Sequence, residues 1–305
     1  MGKLLGIKDL RSALPRCYPM LLLDRAEQID DKHFVGVKNV TTNEEYFVGH
    51  FPNHPIVPGV LLLESMKQLG ELAVRDMLAP GADEQIYIAR VEKVKFRRPS
   101  LPGDRLRIEA EVVSCEAGRA VVRASVTNNS GVACEALLTL ALRKVEVPSA
   151  MPGEFNRFDK GAETVMDTAQ IRELMPHRYP FLLIDHIAEF EGDKVIAVKN
   201  VSINEPFFAG CSEDYPVMPE SLLCEVAAQS GCACVLSRPE NAGKIGYFMA
   251  IDLAEFKAPV LPGDQLVIDL VLPPGKSRFG RGSCVMTVDG REIARISLMF
   301  AIVDP

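Results

Sequence analysis

The chain of 305 residues has no uninterrupted apolar run approaching the roughly 18 residues that a membrane helix needs, so a bilayer is excluded as its medium. It has no excess of positive charge. Lysine and arginine number 34 against 41 acidic residues, for a net charge of −7, and this excludes a general nucleic-acid binder, whose phosphate affinity needs a basic surface. It has no CxxC pair and no Cys/His set at zinc-ligand spacing, so its eight cysteines read as buried free thiols in a reducing compartment and no metal site is expected. The amino-terminal stretch lacks the apolar core of a secretory signal, and Gly6 stands where a myristoylation signal wants Ser or Thr. The expectation is a cytoplasmic protein. With 48% hydrophobic and 25% charged residues, there is no room for wholesale disorder.

What is present is one unit written twice. Leu14 to Asp24, LPRCYPMLLLD, returns as MPHRYPFLLID from Met175 to Asp185. VKNVTTNEEYFVG, starting at Val37, returns as VKNVSINEPFFAG, starting at Val198. Leu-Pro-Gly-Asp occurs at 101–104 and again at 261–264, so the spacing shortens by a single residue along the copy. A period this long denotes a duplicated domain rather than a solenoid. The expected division is residues 1–147, a linker over 148–168 without apolar periodicity, and residues 169–305.

Each copy reads alike. A short helix precedes the Tyr-Pro stop, and two strands follow, in the first copy over Met20–Gln28 and His33–Val40. A proline-rich loop leads to one long helix, and four strands close the copy. Alternation is plain in Leu106-Ile108-Ala110-Val112 and again in Leu266-Ile268-Leu270-Leu272. The long helices, starting after Pro58-Gly59 and after Pro219-Glu220, are apolar on nearly all sides and so predict burial all round. An α+β architecture follows, with an antiparallel sheet wrapped around a central helix in each copy. Each open sheet edge then needs a partner, which the other copy can supply.

Aligned at the loop–helix junction, the first copy reads GHFPNHPIVPGVLLLE and the second GCSEDYPVMPESLLCE. His50 faces Cys211, Gly59 faces Glu220, and Glu64 faces Glu225, while Pro55 and Pro58 match Pro216 and Pro219. The loop path is kept while its chemistry changes.

These residues carry a resemblance. The Pro-His/Arg-Tyr-Pro segment, Asn-Glu-x-x-Phe, His50-Phe51-Pro52 with Pro55, Pro58 and Gly59, a helix Glu and Gln, and Phe96-Arg97-Arg98-Pro99 with Pro102-Gly103-Asp104 run in one order over nearly all of both halves. The chain resembles two fused copies of the FabZ-type 3-hydroxyacyl-(acyl carrier protein) dehydratase. The resemblance implies two hot-dog domains forming an internal pseudo-dimer, removal of water from a 3-hydroxyacyl thioester, and a site taking its histidine from one half and its acid from the other. It implies no cofactor, and an acyl carrier protein or coenzyme A thioester as partner. Because family dimers often trimerise, a homotrimer of pseudo-dimers is a further implication.

Elimination beside a thioester needs a base at the α-carbon, an acid at the leaving hydroxyl and donors for the enolate-like oxygen. Carried across, these are His50, Glu225 with a pKa raised by burial, and the backbone amide of Gly59, with Phe51 lining the substrate path. The other junction pairs Cys211 with Glu64 and puts Glu220 at the oxyanion position, where a carboxylate repels developing charge. It reads as a degenerate second site. Gln68 and Gln229, four residues past each Glu, either orient it or are ordinary packing. His54 reads as a surface histidine. Lys95, Arg97 and Arg98 are the candidate docking residues for an acidic carrier, against the alternative of a solvated edge strand guarded by cations. The competing functions are an enoyl isomerase, a hot-dog thioesterase and a catalytically silent acyl- or carrier-binding subunit.

Overall fold

The computed structural model describes residues 2–146, 151, 164–212, 215–272 and 279–303. Most of the expected linker, 148–150 and 152–163, lies outside the described residues, as do Glu213 and Asp214 of the second junction.

The first half runs β1 (Lys3–Leu5), α1 (Ile7–Ala13), β2 (Arg25–Gln28), β3 (His33–Asn39), α2 (Gly59–Leu78), β4 (Glu84–Phe96), β5 (Arg105–Glu116), β6 (Arg119–Asn128) and β7 (Gly131–Lys144). The second runs α3 (Thr168–Leu174), β8 (His186–Glu191), β9 (Lys194–Asn200), α4 (Pro206–Ala209), α5 (Glu220–Leu236), β10 (Ile245–Phe256), β11 (Gln265–Val271), β12 (Phe279–Val288) and β13 (Arg291–Val303). Alternation does its work in β5, where Leu106, Ile108, Ala110 and Val112 are buried and Arg105, Arg107 and Glu109 face out.

Both long helices are wrapped as their sequences predict. Every residue from Val60 to Val74 of α2 is buried, and so is Glu220 through Ala227 of α5. Each begins directly after a proline, which has no N–H to leave unpaired. Ala79 closes α2 in the left-handed region, its N–H donating to the Arg75 carbonyl at 2.8 Å.

The strands form one thirteen-stranded antiparallel sheet in the order β1-β2-β3-β5-β6-β7-β4-β10-β13-β12-β11-β9-β8. The seam is β4 against β10, with Val94 opposite Ile251 and Arg90 opposite Glu255. The cationic strand β4 is therefore no edge strand: it is paired on both sides, by β7 and β10. One expected strand is also shorter than its pattern. Met20–Asp24 stays out of β2 because the Met20 carbonyl and Leu22 N–H are taken by the Gln68 side chain, at 2.7 and 2.9 Å, instead of a neighbouring strand. No described helix is long and apolar enough to cross a membrane.

Candidate active site

Two loops cross between the halves and hold the chemistry. The Arg178 N–H donates to the Gly49 carbonyl at 3.0 Å, and in the symmetry-related place the Cys17 N–H donates to Gly210 at 3.1 Å. Approach is so close that a Cβ on Gly49 would stand 2.0 Å from the Arg178 carbonyl oxygen. This contact sets His50 of the first half beside His177 and Glu225 of the second.

His50 is held from both ends. Its backbone N–H donates to the Tyr46 carbonyl at 2.8 Å, and its ring Nδ1 sits 2.8 Å from the Ile56 carbonyl. Donation from Nδ1 leaves Nε2 as the free base nitrogen. The ring stacks on Phe51 at 4.0 Å and meets His177 edge-on at 5.6 Å. Burial, and then the neighbouring His177, push its pKa down to about 4 against the opposing pull of Glu225. His50 is neutral at physiological pH.

Glu225 is buried on α5, fixed through Oε1 by Gln229 Nε2 at 2.9 Å and approached by His177 Nε2 at 3.5 Å. Gln229 is itself clamped, donating to the Phe181 carbonyl and accepting from the Leu183 N–H. Of the two readings of Gln229, orientation of the acid is the one the contacts support. Burial pushes the Glu225 carboxyl up, but its hydrogen bond and charge interaction with His177, together with His50 and Gln229, outweigh that and hold it below the usual carboxylate range. Here the expectation of a raised pKa is overturned. The cause is partners from other elements that the helix sequence does not display.

Gly59 opens α2, so its N–H is the first of the amides that helix geometry leaves unpaired. A Cβ there would meet the Phe96 ring at 2.8 Å. Gly59, Phe51, His50, His177 and Glu225 line one cavity of about 310 Å3 between the halves, with Arg97 and Arg98 also on its wall. His54 is exposed, as expected, yet it too borders this cavity. The ligand-type atoms of His50, His177 and Glu225 lie within 4.8 Å of one another, and these are the described residues that could hold a metal ion.

His177 is the residue that reading the two junctions overlooked. Its signal was the Pro-His/Arg-Tyr-Pro segment itself, where Arg16 occupies the equivalent place in the first copy. That exchange belongs to a wider one at the second junction. Cys211 Sγ lies 3.4 Å from the Val217 carbonyl, as His50 lies by Ile56, but burial pushes the thiol up to about 11, which leaves it a poor nucleophile. Arg16 Nε stands 3.7 Å from Glu64 Oε1, Ser221 donates to Glu64 Oε2 at 3.1 Å, and Arg143 pairs with Glu220 at 3.0 Å. Lys67 and Glu71, an ion pair nearly out of contact with solvent, stand where the repeat puts Ala228 and Cys232 on the cavity wall at the first junction. Charged side chains stand where the first junction has cavity wall.

A consequence can be measured. Glu64→Gln leaves Arg16 short of its nearest counter-charge in a buried place and should lower unfolding stability by about 3 kcal/mol in denaturant melts. Turnover per folded molecule should be unaltered.

The basic stretch is largely engaged. Arg97 pairs with Glu135 at 2.6 Å, Lys95 reaches the same carboxylate at 3.9 Å, and Arg90 meets Glu92 and Glu255.

Comparison with known proteins agrees with both halves. The family model of the FabA-like domain matches residues 14–136 and again 175–297. The chain is 48% identical over 139 residues to the 3-hydroxyacyl-[acyl-carrier-protein] dehydratase FabZ of Oceanobacillus iheyensis, an alignment covering 45% of this chain and 99% of that protein. It is 46% identical over 143 residues to the FabZ of Staphylococcus carnosus, covering 47% and 99%. Among solved structures, the dehydratase domain from the CurJ module of curacin polyketide synthase superposes with a TM-score of 0.60 over 93% of this chain and 96% of its own, at 15% identity, which is a likeness of fold. With two matched segments spanning most of its length, the chain belongs to the FabA-like domain family.

Proposed function

We propose that the chain dehydrates 3-hydroxyacyl thioesters to trans-2-enoyl thioesters, at one working site per chain. The observation that carries this is the meeting of neutral His50, the Glu225 carboxyl and the Gly59 amide across the join of the halves. In this reading His50 Nε2 takes the α-proton, the electron pair forms the new double bond, and the 3-hydroxyl leaves as water with that same proton, passed from His50 by way of the neighbouring Glu225 carboxylate. Gly59 N–H meets the charge growing on the thioester oxygen. His177 Nε2, 3.5 Å from the same Glu225 oxygen, and Gln229 hold that carboxylate in place for the relay. The FabZ relatives are carrier-protein dehydratases. We accordingly assign an acyl carrier thioester as substrate, docking at Arg97 and Arg98 on the cavity wall together with Lys95, two residues before Arg97.

The test is incubation with 3-hydroxyacyl thioesters of carrier protein and of coenzyme A. A trans-2-enoyl product supports the reading. Free acid would indicate a thioesterase, a 3-enoyl product an isomerase, and binding without turnover a silent subunit; each overturns it.

The acid limb of kcat/KM should fall near pH 4 rather than near 6.5, because activity needs neutral His50 and is lost only as pH drops through its folded pKa. The same shift affects stability. Between about pH 6.5 and 4 the unfolded chain binds the proton that folded His50 refuses, so this group makes the fold less stable as pH falls through that window and adds no further loss below it. A pH–rate profile alongside pH-dependent melts checks both.

A further inference from the structure

Beyond Glu225 the cavity continues along α5, past Ala228, Cys232 and Val235 to Leu236. At 1.5 Å per residue, the path from Glu225 to Leu236 is about 16 Å. Its opposite wall is built from β10 and β13, where Phe248 and Phe300 are direct cross-strand partners and both border the cavity. On its other side Phe300 is partnered by Gly280 of β12. The Phe300 ring lies over that glycine: a Cβ on Gly280 would stand 2.1 Å from Phe300 Cζ and 2.4 Å from Cε2.

The first half has the same three positions in the same register, filled differently. Leu140 of β7 is paired with Ile88 of β4 on one side and Ala120 of β6 on the other. All three are fully buried. So the cavity-bearing half has an enlarged residue, Leu to Phe, over a reduced one, Ala to Gly, at directly opposed positions. The missing methyl leaves room for the larger ring over β12, on the side of Phe300 opposite its Phe248 partner.

We propose that Phe300, drawn back over Gly280, is the stop that sets how long an acyl chain this site accepts. This deepens the dehydratase reading and rests on it. An acyl chain ends against the ring edge; removing the ring lengthens the path, and adding a methyl at 280 pushes the ring toward Phe248 and shortens it.

The test is kcat/KM over a series of straight-chain 3-hydroxyacyl thioesters of increasing length, with the full chain. Phe300→Ala should raise the ratio of longest to shortest substrate by about tenfold or more, the scale on which a pocket discriminates methylenes. Phe300→Leu should shift it part of the way. Gly280→Ala should move the ratio in the opposite direction by a similar factor, carried by KM. A merely structural role for the pair lowers kcat/KM equally at every length, and that result, or a shift of both variants in one direction, overturns the proposal. If Gly280→Ala does not fold, the graded order of Phe300→Leu and Phe300→Ala decides alone. Affinity of wild type and Phe300→Ala for saturated acyl thioesters of the same lengths separates the two readings. If wild type forms no enoyl product, the dehydratase reading fails, while length-dependent binding altered by Phe300→Ala still tests the stop.

Discussion

Replacing His50 by Ala lowers kcat by about 10²- to 10⁴-fold, the range expected when a positioned acid or base is removed. Glu225→Gln has an effect of the same order, while the neighbouring structure is kept. The Gln229 amide donates to Oε1 of Glu225 and can donate to a glutamine carbonyl in its place, so the side chain stays put and only its proton chemistry is lost. The two variants combined cost little more than either alone, because base and acid act in one elimination. Single-turnover kinetics with product identification, beside thermal melts showing both variants folded, measure this. Full activity of Glu225→Gln would remove the second half from the chemistry and sink the site shared between halves.

Gly59→Glu writes the degenerate junction into the working one, since Glu220 holds the equivalent position. Two effects add. The side chain has to pass the Phe96 ring, which stands 2.8 Å from where its Cβ would be. Its carboxylate also faces the thioester oxygen as that oxygen becomes negative. Loss of an oxyanion donor alone costs about 10²- to 10³-fold in kcat, and the like charge takes Gly59→Glu to the upper end or beyond. Gly59→Gln has the same bulk without the charge, so the difference between the two variants isolates the electrostatic part. Equal rates for both would mean that crowding of Phe96, not charge, disables the site. At the second junction the Glu220 carboxylate is paired with Arg143 at 3.0 Å; at Gly59 the repeat supplies no such partner, since it puts Val303 opposite Arg143.

The repeat made the two halves readable, along with their buried helices and strand alternation, because burial on one face or all round leaves a period in the residues themselves. It also made His50 against Cys211 and Gly59 against Glu220 readable, since those are differences between aligned positions. What stayed hidden depends on contacts between elements far apart in the chain. The pairing of β4 with β10 turned a cationic strand that looked like a guarded edge into the centre of the sheet. Gln68 took the backbone groups that would have extended β2. The pKa of Glu225 runs opposite to what its apolar helix neighbours suggest, because His177 and His50 arrive from two other loops. The Arg16–His177 exchange was in plain view but had no meaning until the loops were seen to cross.

Covalent joining of the halves changes what inheritance can do with them. In a symmetric pair of identical chains, one codon change appears at both sites, so a residue that closes one closes the other. Here a single gene encodes Arg16 and His177, Lys67 and Ala228, Leu140 and Phe300 independently. One side holds the buried Lys67–Glu71 ion pair, while the other has an open cavity with Phe300 over Gly280. Either junction can therefore change without the same change being written into the other.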